Sequence, residues 1–160
     1  MPDLHIRSAT EADAALIVDL IKDLAEYERE PDKAIATTED IIRDGFGERP
    51  KFRCVIAEWQ GEACGFALFY YNYSTWWGRA GIHLEDLFVR PPYRGKGIGK
   101  ALLVHLAQIC LKEDLRRLEW QVLDWNTPAF DFYKSLGARH LKEWWNMRVD
   151  GEALRKLAQL

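Results

Sequence analysis

The chain has 160 residues, 48% hydrophobic and 29% charged, with a formal net charge of −3. That length suits one domain with its own core, and the composition is globular rather than disordered. No apolar run approaches the roughly 18 to 20 residues of a membrane span, the Met1-Pro2-Asp3-Leu4-His5 start lacks a secretory layout, and the negative charge argues against general nucleic-acid binding.

One domain over 1–160 and a cytoplasmic address are therefore expected, with no membrane or nucleic-acid partner. Cys54, Cys64 and Cys110 form no C-x-x-C pair and read as small buried residues. The histidines are scattered, so no metal is expected.

In chain order, 5–9 reads as a strand. Thr10, with Asp13 three residues on, then caps an amphipathic helix over 11–28. Thr37 or Thr38 caps a shorter helix ending near Gly45. Strands follow at 52–58 and 62–73, joined by a turn at Gln60-Gly61. That hairpin sets Cys54 opposite Ala67 and Cys64 opposite Ala57. A strand over 81–89 runs into Pro91-Pro92 and a glycine-rich turn, and 98–112 is a helix.

A strand at 117–123 precedes a helix at 128–136, which starts on Pro128 and stops at Gly137. A last strand at 142–149 and a helix capped by Asp150 close the chain. The fold class is α/β: a mixed, partly antiparallel central sheet flanked by helices, turning parallel toward the C-terminal half.

The chemistry concentrates between Leu84 and Lys100. There a strand carrying Glu85-Asp86 ends, the chain turns on Gly95, Gly97 and Gly99, and a helix begins. Free N–H groups at that helix start, with Arg94, Lys96 and Arg90 nearby, make a pyrophosphate cradle. The P-loop pattern fails because Gly99-Lys100 is followed by Ala101 and position 94 is Arg. The dinucleotide pattern fails at Lys100, or at Leu102 if read from Gly97.

What remains is Arg94-x-x-Gly97-x-Gly99, and with it the chain resembles the GNAT superfamily of N-acetyltransferases. Ile6-Arg7-x-Ala9-Thr10, Leu24-Ala25-x-Tyr27-Glu28, Asp44-Gly45-Phe46-Gly47-Glu48, Leu84-Glu85-Asp86 and Trp125-Asn126-x-Pro128-x-x-x-Phe132-Tyr133-Lys134 are similar to its diamine (spermidine/spermine) N1-acetyltransferase branch. The resemblance implies an acyl-CoA N-acyltransferase fold, acetyl-CoA as co-substrate and a homodimer with the 142–149 strand near its twofold axis.

An alkylammonium with a pKa near 10.4 must lose a proton before it attacks a thioester. Glu85, on a strand face with His83 and Leu87, is the candidate base, acting through a water; the blander alternative is that it only orients the ammonium. Asp86 is expected on the opposite face in a supporting role. The backbone of Leu87, Phe88 and Val89 is expected to hold the pantetheine arm, and the phosphates to lie on Arg94, Gly95, Lys96, Gly97, Ile98, Gly99 and Lys100.

Tyr133 is the candidate acid for the departing thiolate and, by resemblance, also touches the cofactor. Asn126 is either a helix cap or a further cofactor contact. With no cysteine or serine in a nucleophile setting, direct transfer is expected.

For the amine, Tyr27, Glu28, Glu85, Glu119, Trp120, Gln121 and Glu143 stand at or near the family's substrate positions. Trp76, Trp77, Trp144 and Trp145 offer further aromatic faces. Ser74 replaces the acidic residue of the polyamine enzyme. A close branch carries serine there and acetylates the ε-amine of thialysine, so a lysine-like amino acid stands level with or ahead of spermidine. An acyl-CoA sensor without turnover and an acetyltransferase for peptide amines are the alternatives.

Overall fold

A five-stranded sheet in the order β1-β2-β3-β4-β5 runs through the computed structural model, which describes residues 1–160. Its strands are β1 (Leu4–Ser8), β2 (Arg53–Trp59), β3 (Glu62–Ser74), β4 (Arg79–Val89) and β5 (Leu118–Trp120). The first three pairings are antiparallel and β4–β5 is parallel, the mixed sheet that the element order implies. All five strands lie in the first of two compact units, Met1–Gln121; the second is Val122–Leu160.

Helix α1 (Ala14–Tyr27) follows a 3-10 turn at Glu11–Asp13, where the Asp13 carboxylate accepts the Thr10 N–H at 2.8 Å. Arg7 clamps this start to the sheet. It donates to both Asp13 oxygens at 2.8 and 3.0 Å and to Glu58 at 2.7 Å, and it holds the Asp13 carboxyl down at about 2.

Helix α2 (Thr38–Gly45) is capped by Thr37, whose hydroxyl accepts the Asp40 N–H at 3.2 Å. Ala14, Ile17, Val18, Leu20 and Leu24 of α1, with Ile41 of α2, pack on Cys54, Ile56, Phe66, Leu68 and Phe88. Each fully buried side chain of this kind contributes about 1.5–3 kcal/mol. Helix α3 (Ile98–Lys112) buries Ile98, Leu102, Leu103, Leu106 and Cys110.

Two β-bulges depart from the plain alternation read from the sequence. In the first, Ala57 pairs with Gly65 and Glu58 with Ala63, so Cys64 is the extra residue. Cys54 consequently lies opposite Leu68 rather than Ala67, a shift of one position that a simple two-residue turn does not produce. All three cysteines are buried free thiols.

In the second, Leu68 pairs with Asp86 and Phe69 with Leu84, which leaves Glu85 as the extra residue. The β5 ladder stops at the same place, since its last pair is Leu84 with Trp120. Pairing over 117–123 is therefore shortened to three residues: past Leu84 the bulge removes the regular edge a longer β5 needs.

In the second unit, α4 (Thr127–Ser135) ends in a Schellman motif. Gly137, at φ +93°, donates to the Lys134 carbonyl at 3.0 Å and Ala138 to that of Tyr133 at 3.1 Å. Helix α5 (Gly151–Leu157) follows Asp150 as its N-cap. The expected strand at 142–149 is not formed. Alternation supplies a pattern, but a strand exists only with a paired neighbour, and Val122–Leu160 contains no other strand. Trp145 and Met147 are left 86% and 91% exposed.

Candidate active site

The glycine-rich turn has the build its sequence calls for. Arg90 leaves β4 with its N–H on the Cys64 carbonyl at 2.8 Å, and its guanidinium meets Asp23 at 3.1 Å. Gly95 and Gly97 adopt φ values of +78° and +77°, a region other residues resist, and both would leave an added Cβ in open space. Gly97 is the N-cap of α3, so the first N–H groups of that helix, at Ile98 and Gly99, have no carbonyl within it to pair with. Open backbone, unpaired donors and the helix dipole together fit a diphosphate.

Of the two nearby cations, Lys96 lies over the Trp59 ring at 5.1 Å. Arg94 folds back over Tyr27 at 4.9 Å and Phe88 at 5.3 Å, and its Nε donates to the Val89 carbonyl at 2.9 Å. Arg94 thereby joins the glycine turn to Tyr27, a residue singled out for the substrate. Tyr27 and Phe88 themselves stand 6.4 Å apart, ring to ring.

Beside this turn the chain gathers three carboxylates. Glu28 is held above its ordinary range first by burial and then by the charge of Glu85. Asp86 is pushed up to about 7 by burial, with Glu85 and Glu28 adding repulsion. The bulge explains the gathering. A regular strand sends neighbours to opposite faces, whereas the extra residue at Glu85 resets the alternation, so Asp86 pairs with Leu68 on the face that carries Phe88 and packs against α1. The expectation that Asp86 points away from Glu85's face is thus corrected. Leu87, expected to share that face, pairs with Ala67 on the other one.

His83, expected on Glu85's face, stands beside it, and Tyr70 is a further neighbour that was not read from the sequence. His83 Nε2 lies 3.5 Å from Glu85 Oε2, and the Tyr70 phenol is raised first by burial and then by Glu85. A tyrosine in an apolar strand carries no signal by itself; only the β3–β4 register brings it to His83.

On β5, Glu119 accepts from Asn72 at 3.0 Å and meets Arg117 at 2.9 Å, so its carboxylate is already engaged. Trp120 pairs with Leu84 and Gln121 follows it, exposed. Ser74 is buried, and its hydroxyl accepts the Trp77 N–H at 3.2 Å, a turn-forming role in the β3–β4 connection. Trp76 and Trp77 on that connection are exposed.

The remaining site residues belong to the second unit. Asn126 caps α4 by accepting the Ala129 N–H at 3.4 Å, the blander of its two expected roles. Tyr133 stands on α4 with its ring 5.6 Å from that of Phe132. Glu143 lies exposed in the 138–149 segment with Trp144 and Trp145.

Residues 17–138 match the model of the Acetyltransferase (GNAT) family. The chain is 43% identical to a thialysine N-epsilon-acetyltransferase of Sus scrofa, with 99% of each chain covered. It is 36% identical to the human (Homo sapiens) spermidine/spermine N(1)-acetyltransferase-like protein 1, over 99% of this chain and 24% of that protein. Among solved structures, an integron cassette protein from the mobile metagenome of V. cholerae superposes with a TM-score of 0.83 at 30% identity, covering 99% of both chains.

Proposed function

Because the chain belongs to the GNAT acetyltransferase family, we propose that it moves the acetyl group of acetyl-CoA onto the primary amine of a small cation, a lysine-like amino acid such as thialysine ahead of a long polyamine. The carrying observation is the Glu28, Glu85 and Asp86 cluster beside a glycine turn shaped for a diphosphate. An ammonium group relieves the mutual repulsion of such a cluster, and the cradle sets the thioester's carrier next to it. Ser74 supports the shorter substrate, since its hydroxyl is spent on the turn and adds no charge for a second ammonium.

When bound, acetyl-CoA supplies the acetyl group as a thioester. The N–H groups at the start of α3, with Lys96 and Arg94, hold its phosphates, and the β4 backbone from Leu87 to Val89 lines its arm. Glu28 and Tyr27 hold the ammonium by charge and by an aromatic face. Glu85 takes the ammonium proton through a water, and the freed nitrogen lone pair forms the new C–N bond. Tyr133 gives a proton to the thiolate as the C–S bond breaks, and the second proton leaves the nitrogen as the amide forms and restores the phenol; a phenol near pKa 10 serves a thiol whose ordinary pKa is about 8.5.

This reading takes 1–160 as one catalytic domain, with Asn126 holding the start of the helix that carries Tyr133. It also gives 142–149 a partner: a second copy of the chain, whose strand would cover the exposed Trp145 and Met147. The buried free thiols suit a reducing, cytoplasmic address.

The test is CoA release from acetyl-CoA with thialysine, lysine, spermidine, putrescine and a lysine peptide, for the unaltered protein, Glu85→Gln and Tyr133→Phe. One free amine is expected to turn over, with both variants slower by about 10²-fold or more. Binding of acetyl-CoA without turnover of any amine would make the protein a sensor. Turnover of the peptide alone would move the substrate to protein lysines.

A further inference from the structure

Glu85 is the extra residue of a bulge, so no regular ladder pair fixes its side chain. The charges nearest to it also work against a fixed position, because Glu28 and Asp86 both repel it. A carboxylate so placed needs donors, and two strands can supply them.

His83 presents Nε2 at 3.5 Å from Glu85 Oε2. Tyr70 pairs with His83 across the ladder, and the two rings stack at 5.0 Å with a tilt of 32°. Glu85 stands near enough to Tyr70 that its charge, after burial, raises the phenol. On the other side of His83, its β5 partner Glu119 is committed to Arg117 and Asn72 and does not compete for the imidazole.

We propose that Tyr70 and His83 are positioning residues that hold the Glu85 carboxylate toward the amine. The stacked rings fix each other, the phenol and imidazole each offer the carboxylate a donor, and the bulge gives that carboxylate room to meet a substrate. Neither ring needs to touch the substrate. This inference rests on Glu85 as the proton acceptor, and its test separates the two.

The experiment measures kcat and KM with acetyl-CoA and thialysine, or spermidine if the amine panel prefers it. The variants are Tyr70→Phe, His83→Phe, His83→Gln and Glu85→Gln, with Tyr70→Phe and His83→Phe also placed on Glu85→Gln. Tyr70→Phe and His83→Phe keep the stacking and lose a donor. Each is expected to lower kcat by about 10-fold with KM for acetyl-CoA unchanged.

His83→Gln keeps an N–H and is expected to recover most of the rate. On the Glu85→Gln background, neither phenylalanine substitution is expected to change kcat by more than about 2-fold, since both act through the missing carboxylate. Single variants with unchanged kcat, or losses that multiply with Glu85→Gln, overturn the positioning role while leaving Glu85 as base. A Glu85→Gln protein of full activity overturns both.

Discussion

Asp86→Asn is expected to stabilise the unliganded protein at alkaline pH and to flatten its stability curve in the acid range. Asp86 stands opposite Leu68, on the face that buries Phe88, with Glu85 beside it and Glu28 facing the pair. Burial and those two charges raise its pKa from 3.8 to about 7.

The sign follows from where the proton sits. Between those two values the folded chain keeps a proton that the unfolded chain has released, so stability declines as pH rises from about 4 and the whole loss stands above about 7. The difference corresponds to at most about 4 kcal/mol. Asparagine cannot ionise and escapes that loss. In a chain of this length each kcal/mol moves Tm by about 2–4 °C, so a gain of up to about 16 °C is expected near pH 8. Near pH 4 the two proteins should melt together.

The assay is thermal unfolding followed by circular dichroism across this range, without amine or acetyl-CoA. Parallel curves for the two proteins, or an Asp86→Asn variant that melts lower near pH 8, would refute a buried, proton-holding carboxyl at this position.

Two further outcomes test the elements around the site. Gly97→Ala forces a φ of +77° on a residue with a Cβ that otherwise meets open space, so the strain is local. Stability should drop by about 1–2 kcal/mol, and acetyl-CoA should bind about 10-fold more weakly by calorimetry, since the N–H groups at the helix start are no longer held in place. Arg7→Met leaves Asp13 and Glu58 without their shared guanidinium. It should lower the urea midpoint by the equivalent of about 1–3 kcal/mol at neutral pH. The depressed Asp13 pKa gives stability that is present above its ordinary value and lost as pH falls toward about 2, so the gap between the two proteins should close in acid.

Much of this architecture was legible because its signals are local. Thr10 with Asp13 marks a helix start by side chains three residues apart, and of the two threonines open for the next start it is Thr37 that caps, in reciprocal contact with Asp40. Gly137 ends α4 where only a left-handed residue serves. The helix at Ile98–Lys112 follows from its apolar spacing and from the glycines before it. The mixed sheet follows from element order alone, since long β3 and β4 lie next to each other in sequence and pair as a hairpin.

What was not legible depends on residues far apart in sequence, or on a neighbour the pattern cannot name. The segment at 142–149 alternates as a strand should, yet pairing is a property of two segments, and the second is not in its unit. Cys64 and Glu85 each fill one extra place in a strand, and a single extra place reverses every later inside–outside assignment.

At Glu85 that reversal has a chemical result. Simple alternation separates the two carboxylates of the acidic pair onto opposite faces. The bulge instead turns Asp86 into the core beside Glu28, on the face where Tyr70 and His83 stand. The raised pKa of Asp86, the donors around Glu85 and the early end of β5 therefore share one cause. The regular β-pattern is broken at the acidic pair itself, where Glu85 stands outside the ladder.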